Sequence, residues 1–233
     1  MDNDPGIVCY KHCGDRNVFC IKLPSFCHVC KQHVSDSLFI PIRVCYPFAR
    51  ASQHPCSVVF KPTNGDFLKN YRLMDDLHIG ITTSKGVVVS YDCNGVVNDD
   101  VNTDAWQQCL VVYRVEEASW ETQWDNVLME IARADFWTKA RLVMVRVILW
   151  HEFNLRQRYN EDTHNCLSFV VEFVKRLGML KTCDRVINTR EEFTDTFIAP
   201  ATVNAQKYIH LYRKIVENGF YVYNSVSNEI VCS

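Results

Sequence analysis

Between Cys166 and Gly178 the apolar residues fall at Cys166, Phe169, Val170, Phe173, Val174 and Leu177, the spacing of one core-facing helix stripe. Upstream, Asp162, Thr163 and Asn165 are side chains that accept from the free N–H groups of a first turn. Lys175 and Arg176 suit the negative end of the dipole, and Gly178 supplies the left-handed residue that stops the helix. The same period puts Trp124, Val127, Leu128 and Ile131 on one face and predicts a helix over 124–134. A third helix opens at Pro200, carries Val203, Tyr208, Leu211, Tyr212, Ile215 and Val216, and ends at Gly219.

Elsewhere the runs are extended. Val58–Phe60 predicts a short strand before the turn Pro62-Thr63-Asn64-Gly65. Two β-branched runs within 76–92 flank Ser84-Lys85-Gly86 and predict a hairpin, which continues through Asn94-Gly95 toward Val96 and Val97. Residues 106–114 read as a further strand with Leu110, Val111 and Val112 buried, and Phe220–Tyr223 as a last one. Residues 37–48 read as an edge strand or extended connection because Pro41 interrupts them. A loop over 182–194 leads to a short helix or turn around Phe193 and Phe197. The run Ala140–Trp150 is apolar but short and broken by Arg146, so it is not a membrane span.

Composition narrows the classes. The chain has 233 residues, nearly half of them apolar, enough for one full domain with a small appendage. A formal net charge of −2 with no basic face argues against nucleic acid as a partner. The opening Met-Asp-Asn-Asp-Pro-Gly has neither the basic nor the apolar region of a secretory signal. Twelve cysteines without such a signal point to reduced thiols, metal ligands or a nucleophile. The expected location is therefore cytoplasmic or nuclear, not secreted.

Two groups of residues carry candidate chemistry. Residues 1–52 are rich in cysteine and form the expected appendage, with residues 53–233 as the main domain. Cys27-His-Val-Cys30 has the knuckle spacing with which two thiolates grip one zinc ion. Its partner half is less regular: Cys9, His12, Cys13, Cys20 and His33 are all at hand. A zinc ion here would be structural, holding a segment too small to own a core. The second group is Cys166, in a first turn where backbone N–H groups and the dipole favour a thiolate. Its candidate base is His78 on the first strand of the hairpin. A two-residue loop sets His78 opposite Tyr91, and a three-residue loop sets it opposite Asp92, which would orient the imidazole. His164 reads as a capping or rim group, Asn165 as the N-cap, and Trp106, Trp120 and Trp124 as core. His151 and Asp75 read as surface or fold residues.

The strand that begins with His78, its Gly-containing hairpin and the later Asn165-Cys166-x-x-Phe169 resemble the circularly permuted papain-like superfamily. That superfamily includes PPPDE-type isopeptidases and lecithin:retinol acyltransferase relatives. Residues 61–68, 76–82, 158–166 and 208–222 resemble, more closely, the small family named for the makorin-2 opposite-strand protein. Relative to it, the stretch from Trp124 to Cys166 is long, which leaves residues 137–154 as an insertion, a longer helix or a partner surface. The resemblance implies an α+β fold, an antiparallel sheet packed against the Cys-bearing helix, with a zinc-knuckle-like N-terminal segment. It also implies His12 and Cys13 as the pair completing Cys27 and Cys30, while Cys9 with Cys13 is a chemically reasonable substitute for that pair.

Two functions are thus expected. One is a cysteine hydrolase or acyltransferase in which Cys166 attacks an amide, isopeptide, ester or thioester carbonyl of a protein substrate, with His78 as base and Asp92 behind it. The other is a non-catalytic protein-interaction module on the same scaffold. A membrane-linked lipid acyltransferase lacks a hydrophobic tail long enough to anchor it.

Overall fold

The computed structural model describes residues 4–14, 16–137, 159–178, 181–182, 185–187 and 189–224. Most of the 137–154 segment, with Ala140–Trp150 and His151, lies outside them. In chain order the elements are β1 (Val8–Lys11), β2 (Arg16–Cys20), β3 (Ile42–Arg43), β4 (Ser57–Pro62), β5 (Leu77–Thr82) and β6 (Val88–Asp92). They continue with β7 (Gly95–Asp99), β8 (Leu110–Arg114), α1 (Glu121–Arg133), α2 (Cys166–Leu177), β9 (Lys181–Thr182) and β10 (Arg185–Val186). The last are α3 (Arg190–Phe193), α4 (Ala199–Asn218) and β11 (Tyr221–Asn224), with a wide helical turn over Thr194–Ile198 joining α3 to α4. The fold is α+β, and every strand pairing among the described residues is antiparallel.

The chain divides into two compact units, Met1–Pro47 with Asn204–Ser233, and Phe48–Val203. The first contains a four-stranded sheet in the order β11-β2-β1-β3. One cluster of its buried residues is Tyr10, Val18, Cys20, Cys27 and Val34, with Phe220 and Val222 packed on it, and Ile7, Tyr208, Ile209 and Ile215 are buried as well. The pairing of β11 with β2 joins residues about two hundred positions apart, Tyr221 to Phe19 and Val222 to Val18. Of the extended run expected over 37–48, only Ile42 and Arg43 pair, because Pro41 brings no N–H and Leu38–Ile40 make no ladder.

The second unit is built on a five-stranded sheet in the order β7-β6-β5-β4-β8. Its central hairpin closes through Ser84, Lys85 and Gly86, with Thr83 N–H on the Val87 carbonyl at 2.8 Å and Gly86 N–H on the Thr83 carbonyl at 3.0 Å. Gly86 takes φ +78°, the left-handed residue that a three-residue hairpin loop needs. β8 is shorter than expected. Trp106 instead closes a one-turn helix, where its indole N–H reaches Asp99 at 2.7 Å, and Val111 and Val112 are half-buried.

α2 packs across β5, β6 and α1. Every residue of its expected stripe, Cys166, Phe169, Val170, Phe173, Val174 and Leu177, is buried. Trp124 of α1 meets Phe173 edge-on at 4.7 Å and donates its indole N–H to the Thr82 carbonyl at 2.8 Å. Trp124 thus ties α1 to the sheet by a buried hydrogen bond and to α2 by ring packing. No helix among the described residues is long and apolar enough to cross a membrane.

Candidate functional site

Cys27 and Cys30 sit in a tight turn of the first unit. Cys27 N–H donates to the Gln32 carbonyl at 2.7 Å and Lys31 N–H to the Cys27 carbonyl at 3.0 Å. Lys31 takes φ +63°, a left-handed conformation uncommon for a side-chain-bearing residue and held here by those bonds. The turn aims backbone N–H groups at sulfur, with Val29 N–H 3.4 Å from Cys27 Sγ. Burial opposes ionisation of Cys27, yet the N–H groups of Cys30 and Val29 and the neighbouring thiols of Cys13 and Cys30 bring it down to about 6. Cys13, half-buried, is pushed up to about 12 by desolvation and by the neighbouring sulfurs of Cys30 and Cys27.

The other half of the cluster comes from the end of β1 and the turn after it. Cys13 Sγ lies 3.5 Å from Cys27 Sγ, and His12 Nδ1 lies 3.1 Å from Cys30 Sγ and 3.6 Å from Cys13 Sγ. The ligand atoms of His12, Cys13, Cys27 and Cys30 all lie within 4.8 Å of one another, so these four residues can hold a metal ion. The imidazole fits that role in detail. Its Nε2 is 2.8 Å from the His33 carbonyl, which accepts only a proton-bearing nitrogen. That bond fixes the tautomer and leaves the lone pair of Nδ1 toward the thiols, the outer contact metal-binding histidines use. Cys9 is elsewhere: it lies in β1 paired to Phe19, and its thiol reaches Asn17 Oδ1 at 3.9 Å. Tyr10 supports the site from below, with its hydroxyl 3.9 Å from Cys27 Sγ while accepting from His28 N–H at 3.1 Å. Neither Tyr10 nor the His33 carbonyl carries a sequence signal, because each acts through a neighbour that folding supplies.

Cys166 opens α2 as expected. Asn165 caps the helix, accepting from Ser168 N–H at 3.0 Å, and Gly178 ends it at φ +66°. The thiol is 7% exposed. Burial pushes it up, offset in part by the N–H groups of Ile79, Leu167 and Cys166 itself. The direction is opposite to that expected from the first turn alone, because desolvation outweighs the dipole.

The sheet explains where His78 goes. The β5–β6 ladder runs Gly80 to Ser90, Ile81 to Val89 and Thr82 to Val88. Continued by two residues, it sets His78 opposite Asp92, the register of a three-residue loop. Side chains alternate along a strand, so His78 and Gly80 share one face while Ile79 and Ile81 share the other. Tyr91 lies on the Ile79 face, where it meets Phe169 of α2 at 6.3 Å. His78 lies on the opposite face, paired with Lys61 across β4 and 5.7 Å from the Trp106 ring. Burial and the Lys61 ammonium lower its pKa, and the carboxylates of Asp92 and Asp99 pull it part of the way back. Cys166 thus meets the backbone of β5 beside His78, while the imidazole is directed to Lys61 and Trp106. Asp92 is close enough to act on His78, and its Oδ1 accepts from Asn94 N–H at 2.6 Å.

His164, expected at the rim, is buried. It stacks on Trp137 at 4.4 Å, meets Phe136 and Tyr91 edge-on at 4.5 and 5.1 Å, and holds the Phe136 carbonyl at 3.2 Å through Nε2. The tight Asn160–His164 bridge turns the side chain inward, which no local pattern announces. Asp75 caps a turn by accepting from Arg72 N–H at 2.7 Å. The exposed pair Leu73 and Met74 sits in that same turn.

Comparison with known proteins gives a family for the chain. No solved structure matches it. The human MKRN2 opposite strand protein is 29% identical over 220 residues, covering 93% of this chain and 88% of that protein. A DUF4796 N-terminal model matches residues 5–34, the span that holds all four cluster residues, and a DUF4796 C-terminal model matches residues 41–215. With three-quarters of its length under the second model alone, the chain belongs to the DUF4796 family.

Proposed function

We propose that this protein is a non-catalytic protein-interaction module whose N-terminal unit is held by one structural zinc ion on His12, Cys13, Cys27 and Cys30. The observation that carries the reading is the environment of Cys166. A nucleophilic thiol has to be reachable and ionised, whereas this one is 7% exposed and pushed up by burial. What supports the zinc is a closed set of three thiolates and one imidazole, with second contacts to the imidazole and to Cys27. Zinc in such a set has no open position for water or substrate, so its role is to order chain. The ten free cysteines among the described residues suit a reducing compartment, cytoplasm or nucleus.

A second reading is favoured by one feature. The backbone N–H groups of Ile79, Leu167 and Cys166 act on the Cys166 thiol at an Asn-capped helix start, and Ile79 lies on the strand that also carries His78 with Asp92 beside it. A cysteine hydrolase or acyltransferase on a papain-like scaffold would use that thiol on an amide, isopeptide, ester or thioester, after His78 turned to the α2 face. Labelling native protein with an electrophilic thiol probe across a pH series separates the two. The module predicts slow labelling of Cys166 at neutral pH beside fast labelling of exposed Cys45 and Cys93. Fast labelling of Cys166 below the usual thiol range, abolished in His78→Ala, would replace the module by the enzyme.

A further inference from the structure

Folding leaves a strap of apolar side chains bare at the β3 edge of the first unit. Leu38 is 97% exposed, Ile40 87%, Ile42 63% and Phe39 58%. Single exposed apolar residues are ordinary on soluble proteins, but four of them within five positions are not. The strap is not a loose tail. Its start is tied by Ser37, whose hydroxyl donates to the Lys11 carbonyl at 2.5 Å and accepts from Phe39 N–H at 3.1 Å. Its end is tied by the pairing of Ile42 with Cys9 and Arg43 with Val8. The segment between is therefore held in place with its apolar groups outward.

Charge indicates what covers it. The Lys11 ammonium lies 5.6 Å from the centre of the Phe39 ring. The same unit exposes Ile21 and Leu23 on either side of Lys22, and Phe26 shortly before Lys31. No carboxylate among the described residues forms an ion pair with Lys11, Lys22 or Lys31; Asp4 is taken by Arg43 at 2.7 Å, and Asp36, two residues before Leu38, keeps its charge while accepting from the Ser35 hydroxyl. A second copy of the chain would set these like charges against one another, and a protein groove would have to enclose side chains bare on nearly every side. An anionic bilayer accepts both features. Its interface takes exposed apolar side chains, and its headgroups meet the Lys11 ammonium beside the Phe39 ring.

We infer that residues 38–42 form a peripheral membrane-insertion strap, with Leu38, Phe39 and Ile40 entering the interface of an anionic lipid surface and Lys11 facing its phosphates. This goes beyond the interaction-module reading and stands without it. The test is co-sedimentation of the full chain with vesicles of phosphatidylcholine alone or mixed with phosphatidylserine. The wild type should pellet with the mixed vesicles, and added salt should weaken that binding. The double variant Leu38→Asp, Ile40→Asp should lose about tenfold or more in vesicle affinity while its thermal midpoint stays unchanged, because neither side chain is packed. Lys11→Glu should weaken binding several-fold. Absence of binding to either vesicle, or equal pelleting of the double variant, would overturn the strap. So would self-association of the wild type that the double variant abolishes, or capture of an acidic apolar peptide without any vesicle binding.

Discussion

Replacing Cys27 with serine removes the one fully buried sulfur of the cluster, around which Tyr10, Val29 and Cys13 are arranged. The consequence is set by how little else holds the chain around it. The cluster of Tyr10, Val18, Cys20, Cys27 and Val34 contributes on the order of 10 kcal/mol gross, at about 1.5–3 kcal/mol per large buried side chain. A structural zinc ion contributes a comparable ~10–16 kcal/mol. Removing the metal should thus cost the turn over 25–34 as much as the apolar cluster packed against it supplies. The assay is hydrogen exchange with and without chelator, alongside metal content by mass spectrometry. Wild type should carry one zinc per chain. In Cys27→Ser, or on chelation, the amides of Cys27, Lys31 and Val34 should lose protection, since their bonds to Gln32, Cys27 and Ser25 depend on the turn. Amides of β4, β5 and β6 should keep theirs. Tyr10→Phe should retain the metal with an affinity lower by about 10–100-fold, as outer-contact substitutions do. Metal-free wild-type protein with unchanged protection across 25–34 would refute the reasoning.

Three further outcomes follow from the second unit. Asn165→Ala removes the side-chain acceptor for Ser168 N–H and should cost about 1 kcal/mol, read as a fall of roughly 2–4 °C in that unit's thermal midpoint. Gly86→Ala should cost about 2–3 kcal/mol in denaturant titration: the residue sits at φ +78°, and an added Cβ would fall 2.6 Å from the backbone oxygen of Ser52. Burial lowers the His164 pKa in the fold below its unfolded value near ~6.5. The unfolded chain therefore binds more protons over that interval, so this contribution is complete above pH ~6.5 and is lost as pH falls through the folded pKa. His164→Phe should flatten that acid-side slope in melts followed between neutral and mildly acidic pH.

How much was legible beforehand depended on the range of the interactions. The stripe from Cys166 to Leu177, its Asn165 cap and its Gly178 stop could be read because a helix is written in contacts three or four residues apart. The hairpin loop at Ser84–Gly86 and the Cys27-x-x-Cys30 half-site are equally local. By itself, then, the sequence determined the helices, the hairpin and the Cys27-x-x-Cys30 half of the group that can hold a metal ion. Only the tertiary structure decided that β11 completes the N-terminal sheet, that His12 rather than Cys9 faces Cys30, and that His33 lends its carbonyl to fix the tautomer. It also decided that His164 points inward, that His78 belongs to the Lys61 and Trp106 face, and that burial outweighs the dipole at Cys166. Strand parity, sheet order and desolvation set these outcomes, and each depends on residues far apart in the chain.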